Sequence, residues 1–301
     1  MMNLEGAPQP IPPVDVAKLG LAERWILSRL DNAVREVTQA VDAYEFNRAA
    51  LVVYQFIWHE FCDWYIELAK DPLRAGGDRQ AAARYTLVQC FDRMLRILHP
   101  FMPFISEEIW QALRPYFPEA ELSEHLAVAK FPTPSRTPWL SPDEETAMNR
   151  CITATQAVNS LRSLVGHHPG QRVAAVIRPA TGDGVGGVEA WKNYAMALGK
   201  AARLDVIPAS IQRPPRVVFS PVEWGEVGVE APENFDFDKA RAMLRKKLDE
   251  TRGHLKRHLE RSENPGFRAK ADAETVAEIA DKIEELRTQE RILEGQIRQL
   301  S

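Results

Sequence analysis

From Leu21 onward the apolar positions of this chain recur at helical spacing. Trp25, Ile26, Leu30, Val34, Val37 and Val41 mark one face of a helix predicted to end near Asp42. A second helix, from about Glu45 to Ala69, carries Ala49, Val53, Phe56, Ile57, Phe61, Trp64, Tyr65 and Leu68, and the pairs Asp71-Pro72 and Gly76-Gly77 supply its stop. A third runs from about Asp78 to Leu98 through Leu87, Cys90, Phe91, Met94 and Leu95. Pro100 and Pro103 then bend the chain, and Ser106, Glu107 and Glu108 read as the amino-terminal cap of a fourth helix beginning at Ser106. Residues 21–140 are therefore expected to form an antiparallel bundle with an aromatic-rich core, after an extended lead-in over 1–20 that holds Pro8, Pro10, Pro12 and Pro13.

The period changes after the proline-rich stretch 131–142. A helix from Asp143 to about Val165 precedes short apolar runs at Arg172 to Ile177, Arg203 to Ile207, Arg216 to Phe219 and Val227 to Val229, with a helix around Val188 to Leu198 and a turn at Trp224-Gly225. Strands alternating with helices predict a small α/β domain over 141–236. From 237 to 301 the pattern is heptad-like. Leu244, Leu248, Leu255 and Leu259 form one stripe, and Val276, Ile279, Ile283, Leu286, Leu293, Ile297 and Leu300 form another, interrupted only by Glu290. Between them Asn264-Pro265-Gly266 is a stop, with Asn264 and Gly266 suited to left-handed backbone angles, so the two stripes predict an antiparallel coiled-coil hairpin. The fold class is thus mainly α: a bundle, a small α/β domain and a terminal hairpin.

Charge sharpens the last element. The first arm carries Lys239, Arg241, Arg245, Lys246, Lys247, Arg252, Lys256, Arg257 and Arg261, whereas Glu and Asp dominate the second. A net charge of −4 over 301 residues gives no global preference for polyanions, so any such site is local, and the basic arm is the locality. Cys62, Cys90 and Cys151 are too few and too scattered for a disulfide framework or a zinc site. With no membrane-length apolar run and no secretory signal, the expected location is the cytoplasm.

Catalytic constellations are missing. Gly182 to Gly187 is glycine-rich but follows Pro179 instead of a strand-to-helix junction, and reads as a surface loop. His167 and His168 lie in a turn, and His254 and His258, four apart, sit among cations that repel a metal. No catalytic residue, cofactor site or metal site is expected. Helical spacing assigns Trp58, Phe61, Trp64 and Tyr65 to core packing over a base-stacking platform. Asp63 and Glu67, inside the same apolar helix, call for partners among Arg24, Arg29 and Arg93.

Two strings carry a resemblance. Trp58-His59-Glu60-Phe61-Cys62-Asp63-Trp64-Tyr65 with Leu98-His99-Pro100-Phe101-Met102-Pro103-Phe104-Ile105-Ser106-Glu107-Glu108-Ile109-Trp110 is similar to the anticodon-binding domain of class I aminoacyl-tRNA synthetases for branched aliphatic amino acids, whose start Arg24 to Leu30 also resembles. Asn264 to Ala271, between heptad arms, resembles the tip of the tRNA-binding arm of the valyl-tRNA synthetase family. The resemblance implies valine tRNA as partner, with Arg24, Arg29, Lys70 and Arg74 at the anticodon and Arg245, Lys246, Arg252, Lys256, Arg257, Arg261, Arg268 and Lys270 at the tRNA elbow. Arg24 paired with an acid, and Lys70 serving its own helix end, is the structural alternative for those two residues.

The family's His-Ile-Gly-His and Lys-Met-Ser-Lys-Ser signatures do not occur here, so no aminoacylation by this chain alone is expected. The parent would be a valine–tRNA ligase, with this part a monomer normally joined to a catalytic module. Met1 to Gly6 resembles an interior stretch of the family, which makes the bundle one helix short. The other reading is an interaction module whose coiled coil pairs with a protein.

Overall fold

A computed structural model describes residues 6–117, 123–133, 141–168, 170–180, 187–264 and 273–300, with side chains of the last segment described from Ile279. The chain divides into two compact units, one comprising Met1–Ile152 with Gly187–Leu198 and the other Thr153–Gly186 with Gly199–Ser301.

The first unit is helical. Helix α1 (Leu21–Asp42) buries Trp25, Ile26, Leu30, Val34 and Val37, the stripe its periodicity predicts. Helix α2 (Phe46–Tyr54) passes without a break into a π-helical stretch (Gln55–Tyr65) and then into α3 (Ile66–Ala75). The wider winding changes which residues share a face: Phe56, Phe61 and Tyr65 are buried, while Trp58 is 55% exposed and stacks on Tyr54 with centroids 6.4 Å apart. The aromatic quartet thus splits, and the core assignment of Trp58 is corrected. Asp63 and Glu67 are also outward, paired with His59 and Lys70 on their own helix. The expected arginines go elsewhere, Arg93 holding the fully buried Asp31 of α1.

The Asp71-Pro72 pair does not end the helix. Pro72 is buried inside α3, where packing outweighs one lost backbone hydrogen bond, and the stop comes at Gly76, whose φ of +72° favours glycine. Helix α4 (Gly77–Leu98) follows, then α5 (Pro103–Leu113), which starts earlier than Ser106. Ser106 is no cap: its hydroxyl donates back to the Met102 carbonyl at 2.7 Å and lies 2.8 Å from His99 Nδ1. Glu107 instead accepts the Leu126 backbone amide at 2.8 Å, and Leu126 packs in a core with Val88, Leu95, Trp110, Leu113 and Phe117. Helix α6 (Pro142–Leu164) begins in this unit, where Glu144 and Glu145 bind α1.

In the second unit, strands β1 (Val173–Pro179), β2 (Ala201–Val206), β3 (Val217–Val222) and β4 (Gly225–Glu230) form one sheet in the order β2-β1-β4-β3. The buried run Val173 to Ile177 is central, parallel to β2 and antiparallel to β4. Helix α7 (Lys192–Leu198) lies on the crossover between β1 and β2. Gly228 permits the β3–β4 hairpin to close, since a Cβ there would stand 2.6 Å from Val217 Cγ1 and 2.7 Å from Phe219 Cε1. Arg162, buried at the end of α6, donates to the Gln171 carbonyl at 2.9 Å and the Gly199 carbonyl at 3.2 Å.

Helices α8 (Phe237–Glu263) and α9 (Ala273–Gln299) form the hairpin. Asp236 caps α8 by accepting the Lys239 amide at 2.9 Å. Leu248 and Thr251 of α8 are buried with Ile279, Ile283, Leu286, Leu293 and Leu300 of the partner arm. Asn264 is extended at φ −66°, in place of the left-handed angle its sequence suggests, and Pro265 to Phe267 lie outside the described residues, as do Arg268, Lys270 and the glycine-rich loop up to Gly186.

Candidate nucleic-acid interface

The hairpin separates its cations into two groups. Arg252 turns across to α9, where Nε donates to Glu290 at 2.7 Å and the guanidinium also reaches Glu294 at 2.5 Å. Hydrogen bonding to Glu290 raises its pKa further, so this charge is spent inside the hairpin. Glu290, the interruption in the heptad stripe, is thereby explained: it exchanges an apolar contact for an interhelical ion pair. Along α8, Arg245, Lys246, His254 and Arg257 line an open depression of about 750 Å³ with Ala242, Asp249, Glu250 and Gly253. Lys256 is 78% exposed, with Glu260 no closer than 3.9 Å, and Arg261 is also exposed. This surface offers multiple cations at the spacing of a helix to a polyanion, with its acids interspersed.

The bundle places its four anticodon candidates differently from one another. Because α1 and the α2–α3 helix run antiparallel, the start of α1 and the end of α3 share an end, and Lys18 ties it to Asp78 at 3.1 Å. Arg24 is held by Glu144 at 3.0 Å and donates to the Leu19 carbonyl. Arg29 forms a fork to Glu60 with both contacts at 2.8 Å and reaches Glu145 at 3.3 Å; the Glu60 hydrogen bond is the main reason its pKa is raised. Lys70 pairs with Glu67. Arg74 is exposed and, among the described residues, without a carboxylate partner. Gly20 precedes this cluster, and a Cβ there would stand 2.6 Å from Glu23 Oε2 and 3.3 Å from the Tyr194 hydroxyl.

Sequence reasoning missed the outward Tyr54–Trp58 pair, which borders an apolar groove of about 380 Å³ with Leu98, Phe101 and Met102. Only a π-helical stretch brings it out, and no residue pattern announced one. In the turn after α6, His167 Nε2 is 2.8 Å from the Glu230 carbonyl and His168 Nδ1 accepts from the Gly170 amide. No group of three or more potential metal ligands occurs among the described residues, and no described helix is long and apolar enough to cross a membrane.

A helical bundle and a two-helix hairpin with exposed cations on its first arm fit a protein that handles folded RNA, and comparison with known families agrees. Residues 23–177 match the family model of the anticodon-binding domain of tRNA ligases. The chain belongs to that family. Its remainder narrows the assignment, because residues 236–301 match the valyl tRNA synthetase tRNA binding arm, which together make the chain similar to the C-terminal, tRNA-binding portion of valine–tRNA ligases. The valine–tRNA ligase of Geobacter sulfurreducens is 33% identical over 297 residues, covering 97% of this chain and 32% of the relative. That of Synechocystis is 32% identical, covering 100% of this chain and 33% of the relative, and that of Thermotoga maritima is 31% identical, with 100% and 32% covered. The chain therefore spans about a third of the length of the curated relatives it matches.

Proposed function

We propose that this chain binds valine tRNA for a valine–tRNA ligase, as a cytoplasmic monomer, while a separate catalytic module activates the amino acid. The bundle end bearing Arg24, Lys70 and Arg74, with Arg29 behind it, meets the anticodon; the outer face of α8 meets the tRNA elbow through Arg245, Lys246, Lys256, Arg257 and Arg261. Arg268 and Lys270, outside the described residues, are assigned to the same contact. Arg252 acts on the arm itself, fixing how the two helices pair. The observation that carries the reading is the division of charge on α8, with Arg252 engaged across the hairpin while Arg245, Lys246 and Arg257 line an open depression. Structured RNA is held on its duplex parts by phosphate contact and read on its unpaired loops by base contact, so a cationic arm and a bundle end divide the work.

Filter binding with the purified chain tests this directly. Valine tRNA should be retained more strongly than a tRNA of unrelated anticodon, and valine-dependent pyrophosphate exchange should stay at background. Equal retention of all tRNAs, or measurable exchange, would overturn the proposal.

A further inference from the structure

Gly253 stands well inside α8, where glycine weakens a helix relative to alanine. Nothing in the described fold requires it there. Its φ is not positive, and a Cβ at this position would meet no atom within 4 Å. At Gly225, by contrast, a Cβ would stand 2.3 Å from the Arg178 carbonyl oxygen, so the missing side chain there serves the fold itself. A residue that breaks a local preference without a gain inside the fold points to function outside it. The space left by Gly253 therefore serves something that comes to the helix from solvent.

The surroundings say what that is. Gly253 follows the buried Thr251 by two residues, about 200° around the helix, which turns it away from the seam with α9. It lies in the open depression, where Arg245, Asp249, Gly253 and Arg257 succeed one another at four-residue steps, about 6 Å apart along the axis, with Lys246, Glu250 and His254 beside them. The row reads cation, acid, gap, cation. Asp249 and Glu250 repel phosphate on one side of the gap, while Arg257 and His254 offer donors on the other. Long basic side chains hold a phosphate at their own length from the helix, so a strand that also touches the helix main chain needs a residue without a side chain. We propose that Gly253 seats the ribose–phosphate backbone of RNA: one strand lies directly against the main chain of α8, with a phosphate held by Arg257 and His254. The assignment rests on the reading that α8 meets the tRNA, and it adds a contact of shape to contacts of charge.

Thermal melts and the affinity of the full chain for a valine tRNA transcript, read by fluorescence anisotropy, test this together. Gly253→Ala and Gly253→Leu improve the helix and should raise the melting temperature by about 2–4 °C. Both should nevertheless weaken binding, alanine about threefold and leucine about tenfold, because each fills a contact surface. A glycine of merely structural importance would not move stability and affinity in opposite directions. Gly295 of α9 is the control: a Cβ there also meets no atom within 4 Å, but it lies outside the depression. Gly295→Leu should raise the melting temperature and leave the affinity unchanged. If Gly253→Leu and Gly295→Leu weaken binding equally, the loss is one of pliancy in the hairpin and the seat falls. A further variant combining Arg245→Gln, Lys246→Gln and Arg257→Gln separates the two readings. Should it lose affinity while Gly253→Leu does not, the seat falls and the RNA reading of the arm stands; should neither lose affinity, both fall. Where Gly253→Leu melts early, Gly253→Ala decides, and unchanged affinity in that variant overturns the proposal.

Discussion

Neutralising the outer face of α8 should change how tRNA binding responds to salt. Arg245, Lys246, Lys256 and Arg257 are all exposed on α8, so each is free to displace a counterion from a phosphate. Every such contact contributes about 0.7–0.9 to the slope of log affinity against log salt. Replacing all of these side chains with glutamine should therefore flatten the slope by about 3, so that raising salt from about 50 to about 200 mM costs the unaltered chain roughly 60-fold more affinity than the variant. Fluorescence anisotropy of labelled tRNA across a salt series reads this directly. Two controls accompany it. Glu284→Gln with Glu285→Gln should leave the slope unchanged, since those acids pair with Arg287 and Lys282 on their own helix. Arg252→Met should also leave the slope unchanged, yet it should lower the melting temperature of the hairpin by stranding Glu290 and Glu294. Parallel slopes for the unaltered chain and the glutamine variant would refute the reasoning and return the arm to the role of a protein-binding hairpin.

Other outcomes concern the bundle. Burial raises the pKa of Glu23 above the ordinary glutamate range, so the unfolded chain releases this proton at lower pH than the folded one and stability falls as pH rises between the two values. Glu23→Gln should therefore raise the melting temperature at pH 7, and the gain should fade once the pH drops below the ordinary glutamate range. Asp31→Ala removes the partner of Arg93 from a fully buried site and should cost about 3–5 kcal/mol in denaturant unfolding, with a far smaller loss when both are replaced by apolar residues. A thiol reagent should modify Cys62 in the native protein, slowly because burial and Asp63 raise its pKa, and reach Cys90 and Cys151 only after unfolding.

The parts of this fold that could be read from the chain are those written as a period. The stripe of α1 reappears as a buried face, as do Leu248 of the first heptad stripe and Ile279, Ile283, Leu286, Leu293 and Leu300 of the second, because a helix of regular winding maps sequence spacing onto direction. Where winding changes, the mapping fails. Trp58 reads as inward on an α-helical count, and the π-helical turns between Gln55 and Tyr65 leave it exposed. Pro72 and Ser106 show a second limit. Local preference marks each as a boundary, yet the packing of α3 absorbs the proline and the His99 contact draws the serine into its helix. The basic arm was visible as composition, but the internal use of Arg252 was not, since it depends on which rung of the hairpin faces Glu290.

The connection between β1 and β2 has a consequence for how this polypeptide can be divided. After β1 the chain leaves the second unit, contributes Gly187–Leu198 to the first, and returns to build β2. Together with the passage along α6, this threads the boundary at more than one place, so no single cut yields two intact pieces. A fragment beginning at Thr153 would carry α7 without the helices it packs on, and one ending at Ile152 would lose α7 altogether. The two units are therefore interleaved in sequence. Exchange between relatives by recombination would have to carry the whole span from bundle to hairpin, and trimming this protein to a minimal RNA binder is expected to succeed only at the hairpin, whose two arms are contiguous in the chain.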